Sequence, residues 1–285
     1  MEIENSIILI NKPPGQTSHE ITTFVKKITG ATRSGHAGTL DPNVSGVLPV
    51  ALGRATKLLR YVAGKDKTYI GTIKFREKLT KLEIELLYKQ FTGELTQTPP
   101  KISAVRKVPR KRTVYYLKLI ETKGHLALFE TKVDAGTYIR TLCEDIGKKC
   151  GGARMEELRR VAVGKISERE CFTMQELIDA MWFLKNKGDK TMMEKMLQPP
   201  EKFIDLAKVH IKENALQSIL NGAQIMIPAI EKIGEVERGE RVAIYCGEQF
   251  VGVGQMQIAG RELNQKDRGM AIKLERVHIT RGDNG

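Results

Sequence analysis

Residues 35–50 read GHAGTLDPNVSGVLPV: three glycines, one histidine and one carboxylate, running into an apolar stretch. VLPVAL (47–52) has the composition of a buried strand, so the small-residue loop ahead of it leads onto a sheet. Asp41-Pro42 can be a plain turn, because aspartate bonds its own backbone and proline presets φ. It can also be a carboxylate held on a stiff tip for chemistry. A phosphate cradle is disfavoured: the loop lacks GK[ST], and no GxGxxG precedes a helix. There is no HExxH and no Ser/His/Asp order, and His36 stands five residues from Asp41, a spacing that by itself makes no acid–base pair.

Outward from the loop, the pattern predicts a strand over Ser6–Ile10, a turn at NKPPGQTS, and a helix capped by Ser18. The apolar face of that helix holds Ile21, Phe24, Val25 and Ile28. Beyond the loop, ATKLLRYVAG reads as a helix ended by Gly64 and KTYIGTIKF as a strand. Thr80 caps a helix running to Phe91, closed by Gly93. TVYYLKLIET and HLALFETKVD form a hairpin turning at Lys123-Gly124. GTYIRTLCEDIGKKCGG opens a second helix-bearing unit, and MEELRRVAVGKI a third. Strands mixed with separate helices indicate an α+β sheet rather than a doubly wound one. Near Leu197 the texture changes to a proline-marked connector, LQPPEKFIDL. One helix (213–220) and several short glycine-punctuated strands follow, which suggest a small β-barrel of about 75 residues. The boundary falls between residues 197 and 206.

Composition narrows the partner. The chain has 285 residues, 47 Lys and Arg against 34 Asp and Glu, and a net charge of +13. An excess of that sign suits a polyanion, and no apolar window is long enough to span a bilayer. The short apolar run after acidic residues at the start is no signal peptide, so a cytoplasmic location is the expectation. The four cysteines form no CxxC pair and have no histidine at zinc-ligand spacing, so no metal is expected. Lys101 to Thr113 holds Lys101, Arg106, Lys107, Arg110, Lys111 and Arg112 between prolines, with no acid inside the run. It reads as a mobile arm that contacts phosphates. The residues alone thus reach an RNA-binding enzyme with one essential aspartate, suited to nucleophilic or proton-abstracting chemistry at a sugar carbon.

GHAGTLDPNVSGVLPVALGRATK resembles the catalytic loop of the TruB-type pseudouridine synthases, in the archaeal and eukaryotic dyskerin-like branch of box H/ACA particles. INKPPGQTSHE (10–20), KTYIGTI (67–73), PPKISAVRK (99–107), AGTYIRTLCEDIG (135–147) and MEELRRVAVG (155–164) match in order. The resemblance implies an α+β fold with a mixed, mainly antiparallel central sheet and flanking helices. Its domains are a catalytic domain at 1–205, a PUA RNA-binding domain at 206–281 and a tail at 282–285. It implies RNA-guided isomerisation of uridine to pseudouridine in a target flipped out of its stack, with no cofactor or metal. The alternatives are a stand-alone TruB-type tRNA synthase and a non-catalytic RNA scaffold.

By the same resemblance Asp41, Tyr69 and Arg140 are catalytic, with Arg140 paired to Asp41 and Tyr69 packed on the flipped base. Leu158 lines the pocket, His36 contacts substrate, Tyr138 supports the aspartate loop, and Lys12 with Pro13 buttresses it while lying among the substrate-side residues. Small side chains at Gly35, Ala37 and Gly38 leave room for the nucleotide. Arg106, Lys107, Arg110, Lys111 and Arg112 fall in the family's thumb loop. The partners implied are guide RNA, substrate RNA, a small zinc-ribbon protein, a barrel-type protein and a kink-turn-binding protein. Two stretches depart from the pattern. IKFREKL is shorter and more charged than the usual strand-to-helix turn, and Arg154 stands where a histidine is usual. The sequence also opens close to INKPPG.

Overall fold

The computed structural model describes residues 2–64, 66–99 and 106–278. Lys101 of the basic run and residues 279–285, including the expected tail, lie outside the described residues. The chain divides into two compact units: 1–53 with 63–198, and 54–62 with 199–285.

In the first unit β1 (Ile7–Lys12) pairs with β3 (Ser45–Leu52), and α1 (Ser18–Thr29) and β2 (Ser34–His36) lie between them in sequence. α1 starts through a capping box in which Thr17 Oγ1 accepts the Glu20 amide and the Glu20 carboxylate accepts the Thr17 amide. The cap is therefore Thr17 and not Ser18, as the Thr-x-x-Glu spacing of TSHE could have shown. Ile21 and Val25 are buried, but Phe24 is 44 % exposed, so the apolar face is narrower than its periodicity suggests. ATKLLRYVAG starts as 3-10 turns over Gly53–Leu58 and ends in the short helix α2 (Leu59–Ala63).

β4 (Lys67–Phe75) is followed by α3 (Lys81–Gln90), which Thr80 caps, and by β5 (Gly93–Gln97). β6 (Arg110–Lys123) and β7 (Leu126–Val133) form the expected hairpin, with Gly124 at φ 61 in its turn. Then come α4 (Ile139–Lys149), β8 (Ala153–Val163), β9 (Ile166–Ser167), α5 (Met174–Lys187) and α6 (Thr191–Met196).

Among the described residues the sheet runs β1-β3-β8-β4-β7-β6-β5, with β2 added to β3 and β9 to β8. Its pairs are antiparallel except β3 with β8. This is the mixed, mainly antiparallel α+β sheet expected. MEELRRVAVGKI, expected to open a helix-bearing unit, is instead central strand β8. Glu, Leu and Arg favour helices by only tenths of a kcal/mol per residue, and pairing on both edges outweighs that.

β4 passes between β7 and β8 with Lys67, Tyr69, Gly71, Ile73 and Phe75 on its buried face. A Cβ on Gly71 would meet Leu158 Cδ1 at 2.7 Å, Phe129 Cζ at 2.8 Å and the Glu157 carbonyl oxygen at 2.9 Å. Gly71→Ala should therefore cost about 1–3 kcal/mol by overpacking, read as a lower urea midpoint. A wild-type midpoint would show that Leu158 and Phe129 can withdraw.

The second unit holds β10 (Ala207–Ile211), α7 (Glu213–Leu220), β11 (Ile225–Met226), β12 (Ile230–Ile233), β13 (Arg241–Cys246), β14 (Gln249–Met256) and β15 (Met270–Val277). Its strand order is β11-β15-β14-β13-β10-β12, around a core that includes Val209, Ile211, Ile244 and Val251. The segment 54–62 belongs here because Leu58 is fully buried against Ala243, Phe250 and Val253, and because Arg60 pairs with Glu275 at 2.7 Å. Nothing in the sequence marks that excursion. Among the described residues, no helix is long and apolar enough to cross a membrane.

Candidate active site

The aspartate loop hangs from backbone clamps supplied by three separate elements. From β1, Lys12 Nζ donates to the carbonyl oxygens of Pro13 at 2.7 Å and Pro42 at 2.8 Å. The Gly15 amide donates to the same Pro42 oxygen at 2.9 Å. At the start of α1, Ser18 Oγ accepts from the Leu40 amide at 2.9 Å and donates to the Leu40 carbonyl at 3.0 Å. From β8, Arg160 donates through Nε to Val47 O at 2.8 Å and through Nη2 to Gly38 O at 2.9 Å. Leu40 and Val44 are buried on either side of Asp41. The loop is thus anchored before and after its carboxylate, and the carboxylate itself faces outward.

Asp41 Oδ2 accepts from Arg140 Nη2 at 2.6 Å, with side-chain exposures of 52 % and 39 %. Arg140 stands in the first turn of α4, where its reach is fixed by the pinning of that helix start. The Tyr138 amide donates to Gln97 Oε1 at 3.0 Å, and Gln97 Nε2 donates back to Tyr138 O at 3.3 Å. Tyr138 is thereby tied to the end of β5.

Tyr69 pairs across the sheet with Arg160, and Gly71 with Leu158. Directly opposed residues share a face, so Tyr69, Leu158 and the guanidinium that holds Gly38 project to the same side of the sheet. Tyr69 and Leu158 are each 8 % exposed.

Several sequence expectations change here. Lys12 is fully buried with its ammonium on two carbonyls, so it supports the loop and has no free face for substrate. Ala37 is fully buried, and a Cβ on Gly38, whose φ is 86, would meet Arg160 Nη1 at 3.3 Å. Gly38 thus lies against the clamp behind the loop. The basic run is not a mobile arm throughout. Arg110, Lys111 and Arg112 open β6 and pair with Gln97, Thr96 and Leu95. Lys111 also meets Glu94 at 2.8 Å, a balancing acid that lies outside the run in sequence. Arg112 packs over Gly136, where a Cβ would lie 3.3 Å from its Nη2. Arg106 and Lys107 are exposed and outside regular structure.

Two buried cations escaped the sequence reading. Arg160 is 1 % exposed. Lys67 is 5 % exposed, and burial followed by the Arg160 charge pushes its pKa down to about 8. In place of the expected cap, Ser18 holds both backbone groups of Leu40. The adjacency of Arg160 to Leu158 in the LRR motif was the available signal. His36, on β2, has its pKa lowered by burial and then by the Arg160 and His19 charges, so it is mainly neutral at pH 7. Its Nδ1 is buried without a hydrogen-bond partner among the described residues. Among those residues no group of three or more His, Cys, Asp or Glu is placed to hold a metal.

The arrangement offers one accessible carboxylate, oriented by an arginine, on a loop anchored to the sheet face that carries an aromatic and an aliphatic wall. Residues 26–139 match the family model described as TruB family pseudouridylate synthase (N terminal domain). Residues 140–205 match the tRNA pseudouridylate synthase B C-terminal domain, and residues 207–278 the PUA domain. A "Probable tRNA pseudouridine synthase B" of Pyrobaculum aerophilum is 38 % identical over 98 % of this chain and 85 % of its own. A chain in the "Crystal Structure of a Cbf5-Nop10-Gar1 Complex" is similar at TM-score 0.92 and 38 % identity, covering 98 % of this chain and 86 % of that one. A chain in the "Structure of H/ACA RNP bound to a substrate RNA containing 2'-deoxyuridine" is similar at 0.90 and 36 %, covering 98 % and 87 %.

Proposed function

Since the chain belongs to the TruB family of pseudouridine synthases, and so is an enzyme that isomerises uridine in RNA, we propose that it acts as the RNA-guided catalytic subunit of a box H/ACA ribonucleoprotein. The observation that carries this reading is the likeness, at TM-score 0.92 and over 98 % of the chain, to a protein described in complex with Nop10 and Gar1. A guide RNA then selects the uridine by base pairing. A zinc-ribbon protein, a barrel-type protein and a kink-turn-binding protein complete the particle. Residues 1–205 serve as the catalytic domain, and residues 206–281 as the PUA domain that holds RNA.

In this reading the target uridine leaves its stack and reaches Asp41 at the exposed tip of the loop. Arg140 orients the carboxylate and stays charged in the closed site. The bond between C1′ and N1 breaks, its electron pair leaving with uracil. The ring turns, C5 bonds to C1′, the C5 proton departs to a base, and N1 takes up a proton. Atoms and electrons balance without an oxidant or reductant. Asp41 starts this either by attacking C1′ or by taking the 2′ proton, and both routes need the same ionised carboxylate. Tyr69 stacks on the extruded base, Leu158 closes the wall beside it, and His36 approaches it as a neutral imidazole.

The test compares two incubations of 5-tritiated RNA. The chain reconstituted with guide and partners should release tritium from a guide-matched uridine, and the chain alone with unmodified tRNA should release none. A second reading, a stand-alone tRNA synthase, is favoured by the name of the Pyrobaculum aerophilum relative. Full turnover on tRNA without guide or partners would establish that reading in place of the first.

A further inference from the structure

The two stretches where the sequence departs from the family pattern, IKFREKL and Arg154, line the same cavity. It is an open pocket of about 480 Å³ between the end of β4, the β6–β7 turn and the start of β8, and its lining includes Lys74, Arg76, His125 and Arg154. Backbone contacts shape it. The Phe75 amide donates to His125 O at 2.9 Å, and the Arg76 amide to Gly152 O at 2.8 Å. Gly151 and Gly152 turn the chain at φ 79 and 129, and a Cβ on Gly147 would lie 2.2 Å from the Ala153 amide nitrogen. Substitution there would push β8 away and open the corner.

The wall is cationic. Among the described residues only Arg154 of its cations makes an ion pair, through Nε to Glu156 at 3.0 Å. The Glu156 carboxyl is held below the ordinary range by that hydrogen bond, with a smaller contribution from Lys74. Lys74, Arg76 and Arg154 are all exposed. Phe75 lies six residues from Tyr69 along β4, which at about 3.3 Å per residue puts the cavity roughly 20 Å from the reacting base.

We propose that this cavity is a second RNA-phosphate site, in which Arg76, Arg154 and Lys74 hold phosphodiester oxygens of the bound RNA outside the reaction centre. Guanidinium forks suit paired phosphate oxygens, and a lysine adds a point charge. An acidic protein segment is the weaker occupant, because the net charge of +13 and the membership of an RNA-modifying family favour a nucleic-acid polyanion. The inference rests on the reading of the chain as an RNA enzyme.

The experiment measures RNA affinity from about 50 to 400 mM KCl for wild type, for Arg154→His and for the triple change Lys74→Gln, Arg76→Gln, Arg154→Gln. A labelled guide–substrate duplex is the probe. Each phosphate contact contributes about 0.7–0.9 to the slope of log affinity against log salt, so the triple variant should lose about 2 from that slope. Arg154→His should lose a fraction of one. Turnover at saturating RNA should stay at the wild-type value, which also certifies the fold of the variants. An unchanged slope overturns the proposal. So does loss of a partner protein with RNA affinity intact, which would assign the cavity to an acidic segment. Saturable binding of inorganic phosphate, lost in the triple variant while the RNA slope stays constant, would assign it to the free ion. A wild-type chain that makes no pseudouridine would instead defeat the reading of function on which the inference stands.

Discussion

Asp41→Asn should abolish pseudouridine formation, lowering single-turnover tritium release by at least about four orders of magnitude, the loss typical of removing an essential nucleophile or base. Asparagine keeps the size of the side chain and can still meet Arg140, but it can neither attack C1′ nor take a proton. The change should leave stability nearly intact. The ion pair it disrupts is 52 % and 39 % exposed, and pairs of that kind contribute between zero and about 1 kcal/mol. RNA affinity should stay within a factor of about three. Retained turnover would remove Asp41 from the chemistry. Unchanged RNA products in cells carrying the variant would favour the scaffold alternative.

The second large effect is expected at Arg160. Arg160→Met should destabilise the first unit by about 3 kcal/mol, because Gly38 O and Val47 O lose their donors in a buried place. Arg160→Lys separates charge from geometry. An ammonium keeps the positive charge but cannot reproduce a fork that reaches two carbonyls at once. It should recover part of the stability yet stay roughly a hundredfold slow at saturating RNA, the loss that follows from about 1 Å of misplacement in a reacting group. Urea midpoints and single-turnover rates read the two effects independently. Wild-type turnover in Arg160→Lys would show that the clamp does not position the aspartate.

What the sequence made legible was local or borne by motifs. The capping spacing at Thr80, the hairpin around Gly124 and the apolar run of β3 each depend on neighbours within a few residues. The α+β class followed from their mixture. The misreadings lie where a distant partner decides. EELRR has helical propensity and became a central strand because β3 and β4 flank it. Lys111 looked unbalanced until Glu94 met it across the sheet. Ser18 is the exception: the local Thr17-x-x-Glu20 pattern already marks Thr17 as the cap, and only the bonds of the Ser18 hydroxyl to Leu40 depend on a distant partner. Gly38 looked like space for a ligand and lies against Arg160. At the site, the pairing of Asp41 with Arg140 came from the ordered motifs. The clamps behind the loop leave no periodic trace, because single side chains reach single carbonyls across the fold.

The clamp from β8 also sets a clock on synthesis. Val47 and Gly38 leave the ribosome 113 and 122 residues ahead of the arginine that will hold them. At translation rates of about 5–20 residues per second, that interval lasts roughly 6–24 s. Throughout it the aspartate loop has Lys12 and Ser18 to hold it but not Arg160, and the central sheet still lacks the strand that joins β3 to β4. The aspartate loop thus gains its last clamp, and the sheet its central strand, only after more than half of the chain has been made.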